Sequence, residues 1–385
     1  MKIIIAPDSF KESLTALEVA KAIEIGFRHI FPDGEYIKVP MADGGEGTVQ
    51  SMVDATQGHF VDLEVTGPLG NKVMAQYGIL GAKEGKLEAT AVIEMASASG
   101  LHLVPRKQRN PLYTTSFGTG ELIKDALDRG IKHIVLGLGG SATNDAGAGL
   151  AQALGIQFKD DKGQELAFGG EVLAQLKTID ASQVHPLLSQ CQIDVACDVD
   201  NPLCGERGAS AIFGPQKGAT PEIVALLDNT LEYFADVIAE SGFEDHRLEP
   251  GAGAAGGMGL GVKAFLNAQL KPGIEIVMET VGLADKLESA DLVITGEGRI
   301  DGQTVFGKTP MGVLKQANLK NVATIGIAGS LGEDADVILS HGMLAIFPII
   351  PALDSLDNVL AHAEENLINS SRNIASMLKL GQNLS

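Results

Sequence analysis

The spacing of apolar residues switches between two periods along this chain, and the order of the switches excludes most folds. KIIIA (2–6) is a β-branched run. TALEVAKAIEIGFRHI (15–30) carries apolar residues at helical spacing, with Ser13 or Thr15 available as N-cap. EYIKVP (35–40) is strand-like again, and GTVQSMVDATQG (47–58) is helical and closed by a glycine. Strand, helix, strand, helix predicts a parallel sheet covered by helices. The pattern then breaks. HFVDLEV (59–65), KVMAQYGIL (72–80) and LEATAVIEM (87–95) follow one another through the turn-rich links TGPLGN and GAKEGK, with no helix between them. That predicts an antiparallel meander and a second domain beginning near residue 65.

ELIKDALDRG (121–130) predicts a helix stopped by Gly130, KHIVLGLG (132–139) a strand, and PEIVALLDNTLEYFADVIAE (221–240) a long amphipathic helix with Pro in its first turn. The last third returns to alternation. DLVIT (291–295), NVATIGIAG (321–329) and GMLAIFPII (342–350) read as strands; MGVLKQA and the segment from Leu356 to about Leu380 read as helices. The two ends resemble each other and the middle does not. The expected fold class is therefore α/β: a doubly wound domain assembled from residues 1–65 and 288–385, with a second α/β domain inserted over 66–287. A single insertion crosses between domains twice, which makes a hinge, and small ligands are expected at such an interface.

Bulk composition narrows the function classes. A length of 385 residues suits more than one domain, and 45% apolar with 20% charged residues is globular. Aromatics are 4% and tryptophan is absent, so an aliphatic core is expected. The net charge of −20 repels nucleic acid and anionic membranes, but a local cluster of amides and cations can still receive a small anion. No window approaches ~20 uncharged apolar residues, so no membrane span is expected. Three cysteines without a C-x-x-C pattern argue against a disulfide scaffold or zinc ribbon, and the expected compartment is the cytoplasm. Length and acidity leave homo-oligomerisation open.

The 47 glycines cluster in loops. GQTVFGKT (302–309) fits the P-loop pattern, but GEGRID separates it from the strand DLVIT, so it is expected not to be one. The wider loop TGEGRIDGQTVFGK (295–308) still carries Glu297, Arg299, Asp301 and Lys308 beyond a buried strand, at a doubly wound sheet's binding edge. GLGGSA (137–142) fits a dinucleotide fingerprint, with Asp160 near the distance of a ribose carboxylate. Asp145, however, falls where a pyrophosphate would sit. The Asn144–Asp145 pair suits a magnesium–phosphate complex better. GAGAAGG (251–257) adds a third glycine-rich stretch, and together the three suggest main-chain amides around an anion.

Other strand ends share the style. APDSFKES (6–13) carries Asp8, Ser9 and Lys11; PMADGGEGT (40–48) carries Asp43 and Glu46; ACDVDNPLCG (196–205) carries Asp198 and Asp200; FGPQKGA (213–219) carries Lys217; and NPLYTTSFGTGE (110–121) offers hydroxyls before a helix. There is no G-x-S-x-G elbow and no H-E-x-x-H, and the eight histidines lack ligand spacing.

On these segments, with TGPLG, EMASASGL and DLVITGEGRIDGQT..GK, the chain resembles the type 1 glycerate kinase family. The match is collinear from residue 6 to 308. Glu12 stands where that family commonly has glycine after the lysine, and Ala146 replaces a glycine after Asn-Asp. The resemblance implies a flavodoxin-like domain built from both termini and ATP-dependent phosphorylation of D-glycerate, mostly to 2-phosphoglycerate. It also makes the P-loop match incidental.

The corresponding site expectations follow the chemistry of phosphoryl transfer. Gly139, Gly140, Ser141, Asn144, Gly253, Gly256 and Lys217 are expected to hold the ATP phosphates, and Asp145 and Asp198 to hold Mg²⁺. Arg299 or Lys11 would receive the glycerate carboxylate, and Asp43 or Asp198 would accept the hydroxyl proton. Asp8, Ser9, Glu297 and Asp301 complete the substrate set. Two other readings remain at this stage: an NAD-dependent oxidoreductase using GLGGSA, and a non-catalytic binding protein for small acids.

Overall fold

The computed structural model describes residues 1–45, 47–81 and 89–384. Glu46 and residues 82–88, which hold most of the GAKEGK link and the start of LEATAVIEM, lie outside the described residues. Contacts divide the chain into two compact units. One comprises Met1–Asp43, Gln50–Gln57 and Ile274–Ser385; the other comprises Gly44–Val49 and Gly58–Gly273.

The first unit is built on a five-stranded, wholly parallel sheet. Its strands run Ala345–Pro348, Ala323–Ala328, Leu292–Gly296, Lys2–Pro7 and Glu35–Lys38 across the sheet. Numbered along the unit, this is the 2-1-3-4-5 order of flavodoxin-like sheets, with the switch point between the first and third strands. Ile3, Ile4 and Ile5 are all fully buried, as expected for a strand covered on both faces. The Ala16–Arg28 helix begins at Thr15 in a capping box with Glu18, and its buried face packs on the Ala363–Leu384 helix. The C-terminal helical segment is two helices, Leu356–Ala361 and Ala363–Leu384.

The second unit holds a six-stranded mixed sheet: Gln269–Lys271, Gln192–Ala196, His133–Gly137, Thr90–Glu94, Lys72–Ile79 and His59–Thr66. The last three pair antiparallel as a meander; the others pair parallel. Phe158, Phe234, Phe243 and Phe265 form a cluster with ring centroids 5.2–6.4 Å apart. The expectation of a purely aliphatic core is corrected here. Four of the few aromatics are concentrated in one place, where edge-to-face contacts reward clustering.

Glu12 and Ala146 both adopt positive φ, 64° and 49°. The two side chains that stand where the resembling family has glycine therefore keep the left-handed backbone that glycine adopts without penalty. Glu12 is exposed, so its replacement removes no packing. Glu12→Gly should raise stability by about 0.5–1 kcal/mol, the left-handed penalty less the added chain entropy of glycine. Urea unfolding measures this; a loss of stability would contradict the assigned conformation.

Candidate active site

In the first unit the switch point is lined by carboxylates. Pro7 lies in register with Gly296, and Asp8 N–H donates to Gly296 O at 2.8 Å, so Asp8 and Glu297 leave adjacent strands side by side. Gly296 must be glycine because a Cβ there would meet Ile327 O at 1.7 Å. Asp8 Oδ1 accepts from Ser9 N–H at 2.6 Å and Ser9 Oγ at 3.3 Å; Oδ2 accepts from Thr309 Oγ1 at 2.6 Å. Burial pushes the Asp8 carboxyl up, against the Thr309 hydrogen bond and with help from the Asp43 charge. Glu297 Oε1 accepts from Thr304 Oγ1 at 2.7 Å, and Lys308 Nζ lies 3.6 Å from Oε2. Burial pushes Glu297 up to about 7, with Asp8 and Asp301 adding to the rise and Thr304 and Lys308 opposing it.

The loop after Glu297 forms a second short strand, Arg299–Ile300, before the turn at Gly302, and the next helix, Thr309–Leu319, starts only after Lys308. Lys308 is turned onto Glu297 and Asp301, at 3.6 and 3.7 Å. This is not the strand–loop–helix geometry of a P-loop. Arg299 is exposed and lies 3.5 Å from Asp301 Oδ2, while the Lys11 side chain is exposed with no ion pair among the described residues. Asp43 is half-buried.

In the second unit, Gly139 and Gly140 are exposed at the end of the His133–Gly137 strand, and residues 141–151 after them are buried. Asp145 is 1% exposed. Its Oδ2 accepts from Ser116 N–H and Ser116 Oγ, both at 2.8 Å, and its Oδ1 from Gly147 N–H at 3.3 Å. Burial pushes its carboxyl up, while these hydrogen bonds pull it down. Lys217, also 1% exposed, donates to Ser141 Oγ at 2.8 Å and Thr143 O at 2.6 Å. Burial lowers its ammonium to about 7, with the Asp145 charge opposing. Asn144 Nδ2 donates to Ser210 Oγ at 3.1 Å, whereas Asn144 Oδ1 and Thr143 Oγ1 are buried with no partner among the described residues.

Gly253 and Gly256 are both buried; Gly256 packs on this loop, whereas Gly253 packs on Asn201 and Pro202. Gly253 N–H donates to Asn201 O at 2.9 Å, and Gly256 O accepts from Ala146 N–H at 3.0 Å. A Cβ on Gly256 would meet Thr143 O at 2.0 Å. Both glycines serve close backbone approach, Gly256 behind this loop and Gly253 against Pro202. Asp198 is exposed after the Gln192–Ala196 strand, with Oδ1 accepting from Gly273 N–H at 3.0 Å. Asp200 pairs with Arg207 at 2.8 Å. Asp160 caps its own turn, Oδ1 accepting from Lys162 and Gln164 N–H, so it is not placed as a ribose ligand.

Among the described residues no group of three or more His, Cys, Asp or Glu could hold a metal ion alone. Thr309, Thr304 and Ser116 were not singled out from sequence. The Thr309 and Ser116 hydroxyls meet carboxylates distant in the chain, while Thr304 meets Glu297 seven residues away on the same loop; the quoted segments GQTVFGKT and NPLYTTSFGTGE contain all three, but neither says which carboxylate each meets.

Comparison with known proteins covers both units. The model of the glycerate kinase family matches residues 3–379. A protein of Haemophilus influenzae named glycerate kinase is 57% identical over 378 residues, covering 98% of this chain and 99% of its own length. One of Escherichia coli named glycerate 2-kinase is 54% identical over 381 residues, covering 99% of each. A crystal structure from Salmonella typhimurium assigned as a glycerate kinase 2 superposes with a TM-score of 0.91 at 54% identity, covering 100% of this chain and 99% of that one.

Two stability effects follow from the buried charges. Asp145→Ala leaves the buried Ser116 N–H and hydroxyl without their acceptor and removes the negative charge that Lys217 senses, and should cost about 3 kcal/mol in urea unfolding. An effect within 0.5 kcal/mol would contradict that role. Glu297 titrates above its ordinary 4.5 in the folded state, so the stability it contributes is present below that pH and lost as pH rises through about 7. Glu297→Gln should therefore stabilise the protein by up to about 3 kcal/mol at pH 8 and by little at pH 4. Equal effects at both pH values would contradict the raised carboxyl.

Proposed function

The chain belongs to the glycerate kinase family, and from that premise we propose that it transfers the γ-phosphoryl group of ATP to D-glycerate, giving 2-phospho-D-glycerate. The observation that carries this is full-length similarity, over both units, to the glycerate kinases of two bacteria. The Escherichia coli relative's name supports the 2-hydroxyl as acceptor. A nicotinamide reaction finds no support: the helix after GLGGSA is the short Ala148–Ala153, and it starts only beyond the buried Asp145.

Phosphoryl transfer depends on positioning and on neutralising charge. The exposed Gly139–Gly140 turn and Ser141 are our candidates for the triphosphate, since glycine lets phosphate oxygens approach main-chain amides. Lys217 and Asn144 hold that loop from behind, and Gly256 backs it. Asp145, committed to Ser116 and Gly147, leaves the metal set. Mg²⁺ in such reactions takes one or two protein carboxylates besides phosphate oxygens, and the exposed Asp198 fits that need. Bound there, Mg²⁺ would neutralise phosphate charge. Arg299 and Lys11 are the exposed cations for the glycerate carboxylate, and Asp8, Ser9, Asp301 and Asp43 complete the substrate's polar surroundings. No described helix is long and apolar enough to cross a membrane, and we place the enzyme in the cytoplasm.

Phosphorus NMR of the product formed from ATP and D-glycerate tests the reading. The expected product is 2-phosphoglycerate with equimolar ADP. No glycerate-dependent ADP release, or a 3-phosphoglycerate product, would overturn the activity or its regiochemistry respectively.

A further inference from the structure

We infer that Glu297 is the group that accepts the hydroxyl proton of glycerate, with Asp8 as its charged neighbour. The inference rests on the kinase reading and moves the proton acceptor away from Asp43 and Asp198.

The geometry separates the two switch-point carboxylates. Both stand at the carboxyl ends of adjacent parallel strands, where ligands of open α/β sheets are bound. Asp8 has hydrogen-bond donors on both oxygens, from Ser9 and Thr309. Glu297 is held through Oε1 alone, by Thr304. Its Oε2 has no hydrogen bond among the described residues; the nearest cation is Lys308 Nζ at 3.6 Å. One oxygen anchored and one left for a proton is the arrangement a general base requires. Asp198 instead lies exposed on a loop, with Oδ1 taken by Gly273 N–H. Asp43 lies well beyond its edge strand, Glu35–Lys38.

The charged groups facing Glu297 are Asp8 at the end of the neighbouring strand and Asp301 and Lys308 on its own loop; Asp43 faces Asp8. Burial and the two aspartates outweigh Lys308 and hold the carboxyl at about 7, close to an operating pH, where a base is both ionised and strong enough to take a proton. In the step itself the glycerate O–H bond breaks and its proton goes to Glu297 Oε2. The glycerate oxygen that loses this proton forms the new bond to the γ-phosphorus. The bond from that phosphorus to the β,γ-bridging oxygen breaks, and its electron pair leaves with ADP. Glu297 then returns the proton to solvent.

The test is the pH dependence of glycerate-dependent ADP release for the wild type, Glu297→Gln, Glu297→Asp and Asp43→Ala at saturating ATP. The wild-type rate should rise with pH through about 7, because only the ionised carboxyl accepts a proton. Glu297→Gln should lower kcat by roughly 10²–10⁴ and abolish that rise, while ATP affinity by calorimetry stays within a few fold. Glu297→Asp should recover part of the rate, and Asp43→Ala should keep the rise. The melting temperature of Glu297→Gln at pH 8, expected at or above wild type, separates lost chemistry from lost folding. A Glu297→Gln enzyme with kcat within fivefold of wild type, or with the rise intact, overturns the proposal and leaves the kinase reading standing. A wild type that releases no ADP with glycerate overturns both.

Discussion

The parallel pairing of Lys2–Pro7 with Leu292–Gly296 is the contact on which the candidate chemistry depends. Thr295 Oγ1 donates to Ala6 O at 2.8 Å across a sequence separation of 289 residues. The strand-to-strand register sets Ile3 against Leu292 and Pro7 against Gly296. Fully buried Ile3, Ile4, Ile5, Val293 and Ile294 stabilise that seam through apolar area removed from water. Closing so long a loop costs only logarithmically more than closing a short one, so the pairing is affordable at equilibrium. A slip of one residue would carry Asp8 about 3.3 Å along the strand away from Glu297.

The molecule uses buried charge in two ways. In the second unit Asp145 and Lys217 are sealed in and hydrogen-bonded, Asp145 to Ser116 and Gly147 and Lys217 to Ser141 and Thr143. Such a network costs desolvation and rewards it with one definite loop shape. The exposed Gly139–Gly140 turn is the product of that rigidity. In the first unit the carboxylates are only partly satisfied, and the raised Glu297 carboxyl costs stability at neutral pH. Destabilising charge retained at a sheet's binding edge is the ordinary signature of a functional site.

Much of the secondary structure was legible because it follows local periodicity. The 221–240 helix has the bounds that its pattern and Pro221 imply, and the three-strand meander pairs as its turn-rich links suggest. The resemblance to glycerate kinases was legible from loop segments strung along the chain, and the family match over 3–379 agrees with it. What escaped was non-local. Nothing near Gly253 or Gly256 says that their close neighbours are Asn201, Thr143 and Ala146, so amides meant for phosphate turned out to be buried. Nothing near Asp145 says that Ser116 will occupy its carboxylate. The Asp8–Glu297 neighbourhood exists only once the two ends of the chain pair.

The most direct test is a carbon-13 NMR titration of the Glu297 side-chain carboxyl, in the wild type and in Asp8→Asn. The account predicts a midpoint near 7 that moves down when the neighbouring charge is removed. A midpoint near the ordinary 4.5, unmoved by Asp8→Asn, would contradict it.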